Sequence, residues 1–152
     1  MKRLLLIIVL ISGLGLAAKA QDYRTAAGLR FGYPYGVTVK HFLNETNAVE
    51  GILAGSYGGF VITGLYENEH WTGWYPGINW YWGFGAHLGF WDANPWVSGD
   101  GGGVLGADFV IGLEYTFDEV PIGLSLDIIP TINIIGGNGW APQSALSIRY
   151  VF

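Results

Sequence analysis

The sequence predicts an all-β fold: a closed, eight-stranded antiparallel up-and-down barrel that crosses a membrane with its strands. Three observations carry this prediction. A two-residue period runs through most of the chain, the polar and apolar faces are inverted relative to a water-soluble barrel, and hydrophobicity is abundant but dispersed. Apolar residues fill 51% of the 152 positions and charged residues 12%, against roughly 25% charged in soluble domains. Beyond the first 20 residues no apolar run approaches the about 20 residues of a spanning helix. A sheet with one face turned to lipid has this composition.

The first 20 residues, MKRLLLIIVLISGLGLAAKA, read as a secretory signal peptide. Lys2 and Arg3 precede an apolar run from Leu4 to Leu16, and Ala18-Lys19-Ala20 supplies a small-residue cleavage site. The barrel domain is then 21–152. Removing the signal lowers the basic residues from seven to four against twelve acids, a formal charge of −8. Such a surface excludes nucleic acid as a partner class, because phosphate neutralisation requires clustered Lys and Arg. The chain has no cysteine, so disulfides, which commonly stabilise small exported domains, are not available.

Strands are expected at about 25–32, 35–43, 47–56, 59–67, 78–91, 104–117, 120–134 and 144–152. The alternation is clearest in the second half. In LGADFVIGLEYTF, Leu105, Ala107, Phe109, Ile111, Leu113, Tyr115 and Phe117 fall on one side, with Asp108 and Glu114 among the residues between them. Such a period gives a strand two different faces. Ile122 to Ile134 repeats the pattern around Pro130, which cannot donate to a ladder and marks a bulge or rim. NWYWGFGAHLGFW divides the same way: Trp80, Trp82, Phe84, Leu88 and Phe90 on one face, Tyr81, three glycines and His87 on the other.

The apolar face is almost entirely Leu, Ile, Val, Phe, Trp and Tyr. The opposite face carries Gly, Ser, Thr and the strand charges Arg30, Lys40, Glu50, Glu67, Asp108, Glu114, Asp127 and Arg149. A barrel in water would keep its charges outside. Here they point inward, as expected when lipid is the solvent, and closure leaves no unpaired edge in the bilayer. Glycines suit the narrow interior of an eight-stranded barrel.

On these residues the chain resembles the small eight-stranded outer-membrane β-barrels of the OmpA/OmpX-like class, and is most similar to the short barrel proteins of Bacteroidota. The resemblance spans the mature chain. Its most specific element is LSIRYVF, with Leu146, Ile148, Tyr150 and the terminal Phe152 at alternate positions; GLRFGYPYGVTVKHFLNE, WYWGFGAHLGF and GLEYTF also fit. It implies that these four residues form a C-terminal signal for the barrel-assembly machinery. It further implies an outer membrane of a Gram-negative bacterium, Sec-dependent export, and lipid and lipopolysaccharide as the surroundings. An even strand number puts both mature termini on the same side, which the resemblance places in the periplasm. The connections 92–103 and 135–143 then face outward, while 44–47 and 118–121 are periplasmic turns. The connection 68–77 is long for such a turn, and its Trp71, Trp74 and Tyr75 suit an interfacial aromatic girdle.

Three functional readings follow. The inward charges suggest a salt-bridged plug, because buried charges are costly unless paired. Arg30 and Arg149 should lie on neighbouring strands, with Asp127 on the other side of Arg149. The expected protein is a non-enzymatic barrel with a structural or surface-contact role, no large pore and no cofactor. The alternatives are a small channel using the same charges, or a lipid-A-modifying enzyme built around His87. No H-x-S or G-x-S-x-G arrangement accompanies that histidine, so an inward His completing the polar network is preferred. Asp92, Asn94, Ser98 and Asp100 offer oxygen ligands, but without EF-hand spacing no metal site is expected. GDGGG lacks the Lys-Ser/Thr of a phosphate loop. Asn44-Glu45-Thr46 is a formal glycosylation sequon that reads better as turn chemistry.

Overall fold

The computed structural model describes residues 24–56, 58–91, 102–136, 139–140 and 142–152. The signal-peptide segment and the potential oxygen ligands of 92–100 lie outside them. The strands are β1 (Thr25–Tyr33), β2 (Tyr35–Phe42), β3 (Asn47–Ser56), β4 (Gly59–Trp71), β5 (Ile78–Trp91), β6 (Gly102–Thr116), β7 (Ile122–Ile129), β8 (Thr131–Ile135) and β9 (Gln143–Val151). β7 and β8 are two halves of one stave interrupted at Pro130, and both pair with β6. Pro130 has no N–H to donate, and the β6–β8 register shifts between Leu105 and Gly106. Eight staves therefore form the wall.

Every stave pairs antiparallel with the next, and β9 pairs with β1 to close the barrel. Closure sets Gly28 opposite Arg149 and Leu29 opposite Ile148. The odd and even positions of each stave therefore keep the same sides all round. Leu29, Val37, Leu53, Ile62, Phe84, Phe109, Leu126 and Ile148 face outward and are exposed, while Arg30, Lys40, Glu50, Glu67, Asp108, Glu114, Asp127 and Arg149 are buried inside. The interior apolar cluster is small, with Ile52, Leu65, Tyr81, Val110 and Ile129 at its centre.

Aromatic rings collect on the outer surface near both ends. At the end holding the termini, Tyr115 packs edge-on to Phe117, Tyr75 lies against Tyr115, and Tyr150 stacks with Phe152. Trp71 and Trp74 are exposed at the same end. At the opposite end Phe60 lies against Phe90.

The chain departs from the expected boundaries at β4. That strand does not stop at residue 67; Asn68, Glu69, His70 and Trp71 continue it opposite Trp82, Tyr81, Trp80 and Asn79. The connection 68–77 thus shrinks to 72–77, tightened by Thr72 Oγ1 donating to the Ile78 carbonyl at 2.8 Å. The apolar signal fades because Asn68 and His70 occupy outward positions beside the termini rim, yet the ladder goes on. On the opposite rim two connections are very short: Pro34 alone joins β1 to β2, and residues 57–58 join β3 to β4. In the turn after β2, Asn44 Oδ1 accepts from the Thr46 and Asn47 amides at 3.0 and 2.8 Å, so the sequon's asparagine side chain is engaged in turn geometry.

Candidate functional site: the charged lumen

The lumen holds its charged and polar side chains in successive tiers. Nearest the termini end, the Lys40 ammonium on β2 lies 2.8 Å from Glu69 Oε2, 3.0 Å from Glu114 Oε2 and 3.1 Å from Glu67 Oε2. It also sits 4.4 Å above the Tyr81 ring, a cation–π contact in a desolvated setting. Glu69 Oε1 accepts from Asn79 Nδ2 at 2.7 Å. Below these groups a mouth of about 460 Å³ opens, lined by Arg24, Phe42, Asn44, Glu45, Glu69 and Asn79.

Arg149 forms the next tier. From β9 its Nη1 donates to Glu114 Oε2 at 3.1 Å and to Ser125 Oγ at 2.8 Å. Its Nη2 reaches across the lumen to Glu50 Oε1 at 2.5 Å. Thr38 Oγ1 donates to the same Glu50 oxygen. Further along, Arg30 grips Asp127 with two parallel bonds, Nη1 to Oδ2 at 2.8 Å and Nη2 to Oδ1 at 2.5 Å. Paired contacts of this kind give the strongest and most directional ion pairs. The Tyr81 hydroxyl donates to Asp127 Oδ2 at 3.1 Å.

His87 occupies the far tier. Its Nδ1 lies 3.0 Å from both Asp108 oxygens and its Nε2 3.0 Å from Asn133 Oδ1. Thr131 Oγ1 donates to Asp108 Oδ1 at 2.8 Å. Gly106 makes room for the ring, since a Cβ there would come within 2.3 Å of His87 Cε1. Both ring nitrogens face carboxylate or amide partners, and the hydroxyl in this tier, Thr131, donates to Asp108. The arrangement orients the ring between a carboxylate and a side-chain amide.

All nine polar residues singled out by sequence thus lie in the interior. β9 lies between β1 and β7, so Asp127 is on the far side of Arg149 from Arg30, and Arg30 bonds Asp127 past the strand between them. In the ladder Asp127 stands opposite Ala145, well along β9 from Arg149. Glu69, Tyr81, Thr38, Ser125, Thr131 and Asn133 complete the network and were not counted in it. Thr38 and Glu69 sit two residues from Lys40 and Glu67, so continuing the inward phase by one step finds both. The proposed assembly residues Leu146, Ile148, Tyr150 and Phe152 face outward on or beside β9. Among the described residues no group of three or more His, Asp or Glu side chains is arranged to hold a metal ion.

An eight-stave antiparallel barrel, apolar outside and charged within, is the architecture of the small outer-membrane barrels of the OmpA-like class. Comparison with solved structures agrees: the fold is similar to the crystal structure of the N-terminal β-barrel domain of Pseudomonas aeruginosa OprF. The TM-score is 0.67 at 15% sequence identity, covering 87% of this chain and 100% of that one. No protein-family model and no curated protein matches the sequence.

Proposed function

We propose that the protein is a non-enzymatic integral barrel of the bacterial outer membrane, closed to ion flow by its own side chains, with a structural or surface-contact role. One observation carries this reading. Glu69, Lys40, Glu114, Arg149 and Glu50 form an unbroken chain of ion pairs that joins β4, β2, β6, β9 and β3 across the lumen. Every member is buried. Eight-stranded interiors are wide enough to be filled by side chains and not much more, and opening a path here would strand buried charges.

The exterior supports the location. Exposed Leu, Ile, Val and Phe side chains cover the wall, a patch far larger than soluble monomers leave in water, with aromatic rings near both rims as at membrane interfaces. The signal sequence and the outward Leu146, Ile148, Tyr150 and Phe152 fit export and assembly by the barrel-assembly machinery, with lipid and lipopolysaccharide around the finished barrel. The test is a planar-bilayer recording of refolded protein whose insertion is verified by heat-modifiable gel migration. Inserted protein without conductance steps is expected. Reproducible steps would instead establish the small-channel reading, and altered lipid-A mass spectra on expression would establish an enzyme.

A further inference from the structure

Of the buried side-chain atoms that have no hydrogen-bond partner among the described residues, three fall on one patch of the lumen: Arg30 Nε, Ser147 Oγ and Arg149 Nε. All three residues are buried, Ser147 completely. Arg30 on β1 stands directly opposite Ser147 on β9. Arg149 follows Ser147 by two residues, so both take the inner face of the same strand. The patch therefore straddles the seam at which β9 meets β1 and the barrel closes. Buried polar atoms left without a partner are rare in folded proteins, and ordered water is a common reason for them.

The terminal nitrogens of both arginines are already committed. Arg30 uses Nη1 and Nη2 on Asp127, and Arg149 uses Nη1 on Glu114 and Ser125 and Nη2 on Glu50. Each guanidinium is planar, so its Nε–H is left as a donor of fixed direction. The neighbouring ladder supplies no acceptor for it. Arg30 has Gly36 as its partner on β2, and Arg149 stands between Gly28 and Gly123. The next buried residues of β9 on either side are Ala145 and Val151. Ser125, opposite Ser147 on β7, already accepts from Arg149 Nη1 at 2.8 Å. Gly123 also leaves room beside Arg149, since a Cβ there would meet no atom closer than 3.8 Å.

We infer that this patch is a binding site for one water molecule, which accepts from Arg30 Nε and Arg149 Nε, donates to Ser147 Oγ, and so bridges β1 to β9 from inside the closing seam. Two N–H donors and a hydroxyl require a small ligand that accepts twice and also donates, and buried water makes about three hydrogen bonds to such groups. A halide ion could accept from the same donors, but charge decides against it. Leaving aside His87 with Asp108, the carboxyl groups Glu50, Glu67, Glu69, Glu114 and Asp127 already exceed the cations Arg30, Lys40 and Arg149 by two. A further buried anion would add to that surplus, whereas a neutral water does not. The site requires only the closed seam, and stands whether or not the barrel conducts.

Two measurements on the unaltered protein, purified from membranes, test it. A crystal structure at a resolution that shows ordered water is expected to hold a single peak about 2.7–3.2 Å from each of the three atoms, and a bromide-soaked crystal is expected to show no anomalous signal at that position. In detergent solution, protein labelled with ¹⁵N-arginine is expected to show dipolar cross-peaks from the Hε protons of both Arg30 and Arg149 to water, of the sign given by a long-lived bound molecule. Neither measurement needs a variant that might fail to fold. No peak, a peak within hydrogen-bond distance of fewer than three of the atoms, bromide at the position, or Hε protons without the water cross-peaks would each overturn the inference.

Discussion

Arg149 Nη2 lies 2.5 Å from Glu50 Oε1, joining β9 to β3 over the two strands that separate them in the wall. The bond therefore braces opposite parts of the barrel through its interior. Removing one partner of such a pair leaves the other charged and buried, at a cost of about 3–5 kcal/mol. Arg149→Ala is expected to lose about that much in urea unfolding from lipid vesicles. Glu50→Gln combined with Arg149→Met is expected to lose less than the sum of the single variants, because the pair is removed together. A loss below about 1 kcal/mol for Arg149→Ala would mean that the bond contributes little, as exposed pairs do.

Interior glycines are a second load on stability. At Gly112 a Cβ would stand 2.5 Å from Tyr81 Cζ and 2.8 Å from the Leu126 carbonyl oxygen. Gly112→Ala is expected to cost about 1–3 kcal/mol through overpacking and to displace Tyr81 from Asp127. Gly51, with no atom within 4 Å of its Cβ position, is the control. Gly51→Ala is expected to be neutral or slightly stabilising, since it restricts only the unfolded chain. Equal unfolding midpoints for the two variants would refute the difference.

His87 is expected to act on stability alone. His87→Ala deprives Asp108 of its imidazole partner and should cost about 1–3 kcal/mol, read by the same unfolding measurement. The lipid-A mass spectrum of cells expressing the variant should match that of cells expressing the parent. A spectrum that changes between them would give the histidine a chemical role.

The outer face can be probed by charge. Leu126 is 58% exposed and lies near the middle of its stave. In water, an exposed Leu-to-Arg change is close to neutral; at the middle of a bilayer it costs about 2–4 kcal/mol. Leu126→Arg is expected to fall in the second range in vesicles, with a smaller cost for Val120→Arg beside the rim. Equal, negligible costs at both positions would remove lipid from the picture.

The wall was legible in the sequence and the wiring was not. Alternation such as Leu105 to Phe117 states which side each residue takes, because the side-chain period of a strand is two. It carries no information about which inward side chains meet. That depends on strand tilt and stagger, which bring Arg149 to Glu50 and Arg30 to Asp127 although neither pair is on adjacent strands. β4 shows the other limit. YENEHW loses its outward apolar residues where the wall nears the rim, so Glu69 looked like part of a turn although its backbone stays in the ladder. Tyr81 was correctly placed inward by phase, but only the structure gives its hydroxyl a carboxylate.

If lipid surrounds the barrel while charge fills it, the wall must meet hydrocarbon and the turns water. The absence of cysteine allows single spin labels at Leu126→Cys and Ile148→Cys on the wall and at Asp118→Cys in the turn after β6. Collision with molecular oxygen, which concentrates in the hydrocarbon, should dominate at the two wall positions, and collision with a water-soluble nickel complex should dominate at Asp118→Cys. Dominance of the nickel complex at Leu126→Cys and Ile148→Cys in vesicle-reconstituted protein would show that the wall faces water and not lipid.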